Sequence, residues 1–181
     1  RDHTIVVSES GLVTITGGKW TTYRKMAEDV IDHAETVAGL EPARSSTEGL
    51  QIHGWTKATT SEPHLRMYGS DAAHVVRLRQ QQPALAEKLH PAFPVEKAEV
   101  VWHARREMAR SVEDVLARRT RCLLLNAHAS VEAAPTVAAL LAEELGKPTA
   151  WQKEQVARYG ALARGYIYTD PASRSPVQSP D

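Results

Sequence analysis

Hydrophobic and polar positions change their period twice along this chain. Thr4-Ile5-Val6-Val7 and Leu12-Val13-Thr14-Ile15-Thr16 are rich in β-branched residues. Ser8-Glu9-Ser10-Gly11 between them supplies turn chemistry, so the pattern predicts a β-hairpin. After Lys19 the period switches to that of a helix. Tyr23, Met26, Ala27, Val30, Ile31, Ala34 and Val37 fall at i, i+3, i+4, i+7, i+8, i+11 and i+14, one apolar stripe on a helix. Thr21 or Thr22 caps its start and Gly39 closes it.

Residues 40–62 lose periodicity and gather Pro, Ser, Thr and Gly, which predicts a long connection and a domain boundary. From about residue 63 the pattern is helical throughout. Asp71 to Gln80 carries Ala72, Val75, Val76 and Leu78 as its apolar set. Pro83 opens a short helix through Leu89. Pro94 opens another to about Ala109, with Val95, Ala98, Val101, Ala104 and Met108 inward. Ser111-Val112-Glu113-Asp114 matches a capping box, so a helix begins there. Val131 to Leu145 is stopped by Gly146 and Pro148, and Trp151 to about Tyr168 forms the last helix, with Val156, Tyr159, Leu162 and Tyr166 apolar. The tail from Pro171 is Pro/Ser-rich and is expected to be disordered. The fold class is therefore mainly α, a bundle-like helical domain preceded by a short β-hairpin and helix. The expected division is 1–40, 41–168 and a tail at 169–181.

Composition narrows the function classes. The 181 residues hold 22 Lys plus Arg against 22 Asp plus Glu, so no global field points to nucleic acid or an anionic membrane. Hydrophobic residues make up 42%, compatible with a packed core. The single cysteine, Cys122, sits beside Leu123-Leu124-Leu125 and reads as a buried thiol; it has no internal partner, which fits a reducing compartment. No apolar run approaches the ~18 residues that cross a bilayer. The start, Arg1-Asp2-His3, has no signal-peptide character and reads as a piece cut from something longer.

Candidate chemistry gathers at one point. Gly17-Gly18-Lys19 joins the predicted strand to the predicted helix. Helix N-termini collect anions, because free N–H groups and the macrodipole both favour negative charge there. Lys19 either adds charge to such a site or stands as a solvated lysine after a tight turn. Arg24 either turns back toward the same point or lies on the surface. Neither Gly-x-x-x-x-Gly-Lys-[Ser/Thr] nor Gly-x-Gly-x-x-Gly occurs. Residues 105–121 hold six arginines against three acids, but i, i+4 spacings such as Asp114/Arg118 and Arg110/Asp114 favour helix-face ion pairs over a nucleic-acid patch. The eight histidines are scattered without metal-ligand spacing, and no serine elbow is present. The four tryptophans, at 20, 55, 102 and 151, are expected to anchor the core or a domain interface.

Two segments together carry a resemblance. Gly17-Gly18-Lys19-Trp20-Thr21-Thr22-Tyr23-Arg24-Lys25-Met26-Ala27-Glu28 resembles the Gly-Gly-Lys-x-Thr-Thr-Tyr-Arg-x-x-Ala-Glu signature of FAD-dependent glycerol-3-phosphate dehydrogenases. Glu107 to Arg121 resembles the Glu-x-Ala-x-[Thr/Ser]-x-x-Asp-x-Leu-x-Arg-Arg segment of their helical C-terminal domain, and Leu50-Gln51-Ile52-His53-Gly54 is similar to a link between the two. The resemblance covers roughly residues 1–168.

The resemblance implies a C-terminal fragment of such an enzyme, with the hairpin and first helix left over from a Rossmann-type FAD domain. The family oxidises sn-glycerol 3-phosphate to dihydroxyacetone phosphate and passes electrons through FAD to quinone. Gly17, Gly18, Lys19, Trp20 and Thr21 match its cofactor-binding turn, and Lys19, Arg24 and Arg1 match residues near its substrate. No catalytic residue and no metal ligand is expected in the fragment, which is not expected to bind FAD alone. Expected partners are the remainder of the parent enzyme, a peripheral membrane surface and a homodimer mate, without nucleic acid. No EF-hand loop like that of some mitochondrial members occurs, so the bacterial type is the better match and implies a peripheral place at the inner face of the cytoplasmic membrane. The alternative is a stand-alone helical interaction, dimerisation or membrane-docking module.

Overall fold

The computed structural model describes residues 2–168; Arg1 and the expected disordered tail lie outside the described residues. The chain forms two compact units, divided between His53 and Gly54. The fold is mainly helical, with a two-stranded antiparallel hairpin at the N-terminal end.

In the first unit β1 (His3–Val7) pairs with β2 (Val13–Gly17), with Ile5 opposite Ile15 and Val7 opposite Val13. The Ser8 N–H donates to the Leu12 carbonyl at 3.0 Å and closes the turn. Alternation puts His3, Ile5, Val13 and Ile15 on the half-buried face, as a period of two requires. A 3₁₀ turn at Trp20–Thr22 leads into α1 (Tyr23–Ala38). Thr22 stands at the N-cap position of α1, but its hydroxyl caps no N–H of that helix; it turns back, Oγ1 accepting from the Lys19 N–H at 3.1 Å and donating to the Lys19 carbonyl at 3.0 Å, which closes the 3₁₀ turn. Gly39, at φ 65°, ends the helix, and its N–H returns to Glu35 and Thr36.

The apolar stripe of α1 splits in two. Met26, Val30 and Ala34 are half-buried, while Tyr23, Ala27 and Ile31 are exposed. No residue of the helix is fully buried. Segment 43–52 runs beside the exposed stripe and leaves two cavities of about 310 and 400 Å³.

The second unit holds the core. A 3₁₀ segment, Pro63–Asp71, precedes α2 (Ala72–Gln81). At Gly69, φ 55°, the Gly54 carbonyl approaches so closely that a Cβ would lie 1.8 Å from its oxygen; only glycine fits. Pro83 opens a 3₁₀ turn that stops at Ala86, short of the expected Leu89. Lys88 bridges to Glu96 and the Leu89 N–H donates to the Val95 carbonyl. That pairing extends the backbone through Pro94, so α3 begins at Lys97, where Glu96 and Glu99 form a capping box. It ends at Arg106, and Met108 takes φ 57° and is exposed, contrary to the expected inward position.

Ser111 and Asp114 form the expected reciprocal cap, and the helix that follows adopts a π turn over Asp114–Arg119. The short α4 (Cys122–Leu125) buries Cys122 and leaves Leu124 and Leu125 exposed. Helix α5 (Ala127–Leu145) starts earlier than the periodicity indicated, because Asn126 caps it by accepting from the Ala129 N–H at 3.1 Å. It packs on α6 (Thr149–Arg164), with Tyr159 hydrogen-bonded to Ser130 between them. Tyr166 lies beyond α6 and is exposed.

Two buried clusters meet at α3. Val100 and Ala104 join the cluster built on α5, α6 and the π turn; Ala98, Val101 and Trp102 join that of Leu65, Tyr68, Ala72 and Val75. Every residue of α3 from Ala98 to Ala104 is therefore buried. Among the described residues no helix is long and apolar enough to cross a membrane.

Candidate functional site

The sequence singled out the turn between β2 and α1. Gly17 and Gly18 adopt φ 85° and 74°, a region L side chains rarely enter. At Gly18 the backbone also lies against Met26, whose Sδ would stand 2.3 Å from an added Cβ. Conformation is what calls for glycine there, since the crowding atoms are the movable end of the Met26 side chain. The turn delivers the chain to the 3₁₀ helix start, where the first-turn N–H groups of Trp20 and Thr21 have no intrahelical acceptor. Lys19 and Thr21 are exposed, and the Lys19 ammonium has no acidic partner among the described residues. Trp20, 86% exposed, stacks on Tyr23 at 5.7 Å between ring centroids. Gly17, Lys19, Trp20 and Thr21 are exposed around the half-buried Gly18, and together they present a cation, a flat ring and first-turn donors.

Arg24 is the second residue of α1 and is already engaged. Its guanidinium donates to Glu28 and, at 3.2 Å, to the Thr47 hydroxyl. Lys25 pairs with Glu28 at 2.9 Å and Asp29 at 2.8 Å, holding both carboxyls below their ordinary range through hydrogen bonds to its ammonium. Glu28 and Asp29 thereby have cationic partners, although they lie near Asp32 in a cluster of acids. Arg1 lies outside the described residues.

A second polar constellation escaped the sequence reading. Tyr68, Glu99 and His103 meet inside the second unit. The Tyr68 hydroxyl donates to Glu99 Oε2 at 2.7 Å and lies 2.8 Å from His103 Nε2. With its one proton on Glu99, His103 presents Nε2–H to the phenol oxygen and leaves Nδ1 as an unpaired acceptor. Burial pushes the Glu99 carboxyl up, opposed by the Glu96 N–H and the Tyr68 hydroxyl. Burial, then the Arg119 charge, pushes His103 down to about 3. Burial and the Glu99 charge raise the Tyr68 phenol. Glu99 and His103 share one helical spacing, i and i+4, but Tyr68 lies 31 residues before Glu99, and no local pattern joins them. Beside them Glu62, His64 and Glu96 cluster, and Arg79 bridges the two glutamates at 2.7 and 2.9 Å.

The arginine-rich segment makes ion pairs. Arg118 meets Asp114 at 3.1 Å, at the expected i, i+4 spacing, and Arg105 meets Glu144 at 2.6 Å. Arg110 departs from expectation: the helix breaks after Arg106, so its N–H, not its guanidinium, reaches Asp114, at 3.0 Å. The guanidinium donates instead to the Ala104 and Ala109 carbonyls. Of the tryptophans, Trp102 is buried and Trp151 packs against the larger cluster, whereas Trp20 and Trp55 are exposed within their units.

Residues 10–156 match the family described as the C-terminal domain of alpha-glycerophosphate oxidase. The chain is 37% identical over 177 residues to the probable mitochondrial glycerol-3-phosphate dehydrogenase of Caenorhabditis elegans, covering 86% of this chain and 24% of that protein. It is 32% identical over 195 residues to the mitochondrial glycerol-3-phosphate dehydrogenase of Homo sapiens, covering 97% of this chain and 26% of that protein. It is also 32% identical over 206 residues to glycerol-3-phosphate dehydrogenase SDP6, mitochondrial, of Arabidopsis thaliana, covering 97% of this chain and 32% of that protein. The chain thus spans 24% to 32% of the length of these relatives.

Proposed function

We propose that this chain, which belongs to the family of the C-terminal domain of alpha-glycerophosphate oxidase, is the C-terminal part of an FAD-dependent glycerol-3-phosphate dehydrogenase and completes its active site from one edge. The observation that carries the reading is the coincidence of the family match over residues 10–156 with the positive-φ glycine pair, Gly17 and Gly18, that leads into α1. The parent oxidises sn-glycerol 3-phosphate to dihydroxyacetone phosphate and passes two electrons on to quinone. FAD, when bound, supplies the two-electron acceptor.

The chain's own contribution is electrostatic. Gly17 and Gly18 bring backbone close to a ligand without a Cβ in the way. The Trp20 and Thr21 N–H groups and the Lys19 ammonium then oppose negative charge that grows at the acceptor during reduction. Donors fixed before the reaction stabilise such charge without reorganising. Lys19 also suits the substrate phosphate, since ammonium and phosphate form charge-assisted hydrogen bonds. Arg24 is the lesser phosphate candidate, because Glu28 already holds its guanidinium. Arg1 would face the same site. The parent would sit peripherally at a membrane surface, in a bacterium the inner face of the cytoplasmic membrane.

Lys19→Met in the longer parent protein tests the reading. Flavin absorbance is expected to stay, while kcat/KM for glycerol 3-phosphate falls about 100-fold, the usual cost of one preorganised donor. An unchanged kcat/KM with flavin in place overturns the assignment. The isolated chain mixed with FAD is expected to show no stoichiometric quenching of flavin fluorescence; tight binding would contradict an incomplete cofactor site. A second reading, an interaction or dimerisation module, is favoured by the exposed pair Leu124–Leu125 on α4. It predicts a dimer that persists on dilution.

A further inference from the structure

Helices α2 and α3 border a small cavity of about 140 Å³ that opens to solvent. Its lining follows from helical spacing. His74, Arg77 and Leu78 fall at i, i+3 and i+4 on α2, and Trp102, Arg105 and Arg106 do so on α3, so each helix turns one face to the cavity. The His74 ring lies parallel to the Trp102 indole, 7° between planes and 5.7 Å between centroids. The indole is fixed in turn, because its N–H donates to Glu107 Oε1 at 3.1 Å. One wall is therefore a rigid aromatic surface.

The charges around the cavity do not balance. Arg105 is neutralised by Glu144, to which it makes two hydrogen bonds, at 2.6 and 2.7 Å. Arg77 and Arg106 have no acidic partner among the described residues. Both are exposed, so water screens their repulsion, but their guanidinium forks are left free and match a phosphate oxygen pair in geometry.

We propose that the cavity between α2 and α3 binds a phosphomonoester or inorganic phosphate, held by Arg77 and Arg106 against the Trp102–His74 wall. Charge selects this ligand class: the two unpaired cations match the roughly −1.5 to −2 of a phosphomonoester near neutral pH, which a carboxylate does not. Size agrees, since the volume falls below the ~300–1,000 Å³ that hold drug-sized ligands, so a phosphate group enters and whatever bears it stays outside. The site is independent of the glycine turn and of the dehydrogenase reading.

The test titrates the full chain with sodium phosphate and, at matched ionic strength, with sodium chloride. Two-dimensional NMR follows the Trp102 indole N–H and the arginine Nε–H signals. Saturable shifts confined to Trp102, Arg77 and Arg106 are expected with phosphate alone. Arg77→Gln combined with Arg106→Gln is expected to weaken binding at least about tenfold, and Arg158→Gln, an exposed control, to leave it unchanged. Equal shifts with chloride, wild-type affinity in the double variant, or an equal loss in Arg158→Gln would overturn the proposal. Sedimentation with phosphatidylcholine vesicles, with and without phosphatidic acid, separates the sources of the ligand. Pull-down that needs phosphatidic acid and both arginines assigns a lipid headgroup; phosphate binding in solution without pull-down assigns a soluble phosphomonoester.

Discussion

Residues 2–53 and residues 54–168 solve the problem of burial in opposite ways. In the first unit a hairpin and a 16-residue helix meet, yet α1 has no fully buried residue, and Trp20, Tyr23 and Ile31 are all more than half exposed. In the second unit α3 is surrounded, and even Glu99 and His103 are at most 1% exposed. An amphipathic helix is stabilised chiefly by what its apolar face packs against. The second unit contains that partner. In the first, the hairpin half-buries one stripe, and segment 43–52 runs beside the other without burying it.

The sharpest way to break the contrast is a pair of truncations. Leu141→Ala opens a hole in the larger cluster, where Leu141 is wholly buried, and is expected to cost about 2–5 kcal/mol by chemical denaturation. A loss under ~1 kcal/mol would mean that the cluster is not tightly packed. Next comes Tyr68→Phe, which leaves Glu99 and His103 without their shared hydroxyl and is expected to cost about 1–3 kcal/mol.

The sign of the His103 effect is testable separately. Its folded value lies near 3 against 6.5 unfolded. The unfolded chain therefore binds the proton first as pH falls, and His103 withdraws stability between about pH 6.5 and 3. Glu99, raised by burial, acts in the other direction, losing stability as pH climbs above 4.5. Comparing wild type with His103→Gln isolates the first effect: the wild type should lose ground on the variant by up to ~1.4 kcal/mol per pH unit as the solution is acidified through that window. A constant difference would show that His103 is not held neutral. The smallest effect is expected from Ile31→Ala on the exposed stripe, within ~0.5 kcal/mol in this chain. A cost like that of Leu141→Ala would erase the distinction between the two units.

What the sequence disclosed follows from the range of the forces involved. The hairpin, α1 and its Gly39 terminus were legible because alternation, helical period and a left-handed cap are local signals. The Ser111–Asp114 cap was legible for the same reason. The start of α3 was not: Pro94 offers a helix start, but the pairing of Lys88 with Glu96 keeps that stretch extended until the Glu96–Glu99 box takes over. Met108 kept the helical period yet points outward, because the backbone turns to positive φ there. The glycine turn of the candidate site was visible as residues. Its reason, the positive φ at Gly17 and Gly18, needed coordinates. Tyr68 joins Glu99 and His103 through tertiary folding alone. Arg77 and Arg106, which lie on different helices, come together in the same way.

The position of α3 between two clusters has a consequence for how the second unit comes apart. Val100 and Ala104 belong to one cluster while Ala98, Val101 and Trp102 belong to the other. Neither cluster can release its share of that helix without exposing the opposite face to water. Unfolding of α3 itself removes side chains from both clusters at once, so the two are expected to open together as one foldon. Amide hydrogens along α3 should then be the last in the unit to exchange, at a rate set by unfolding of the whole.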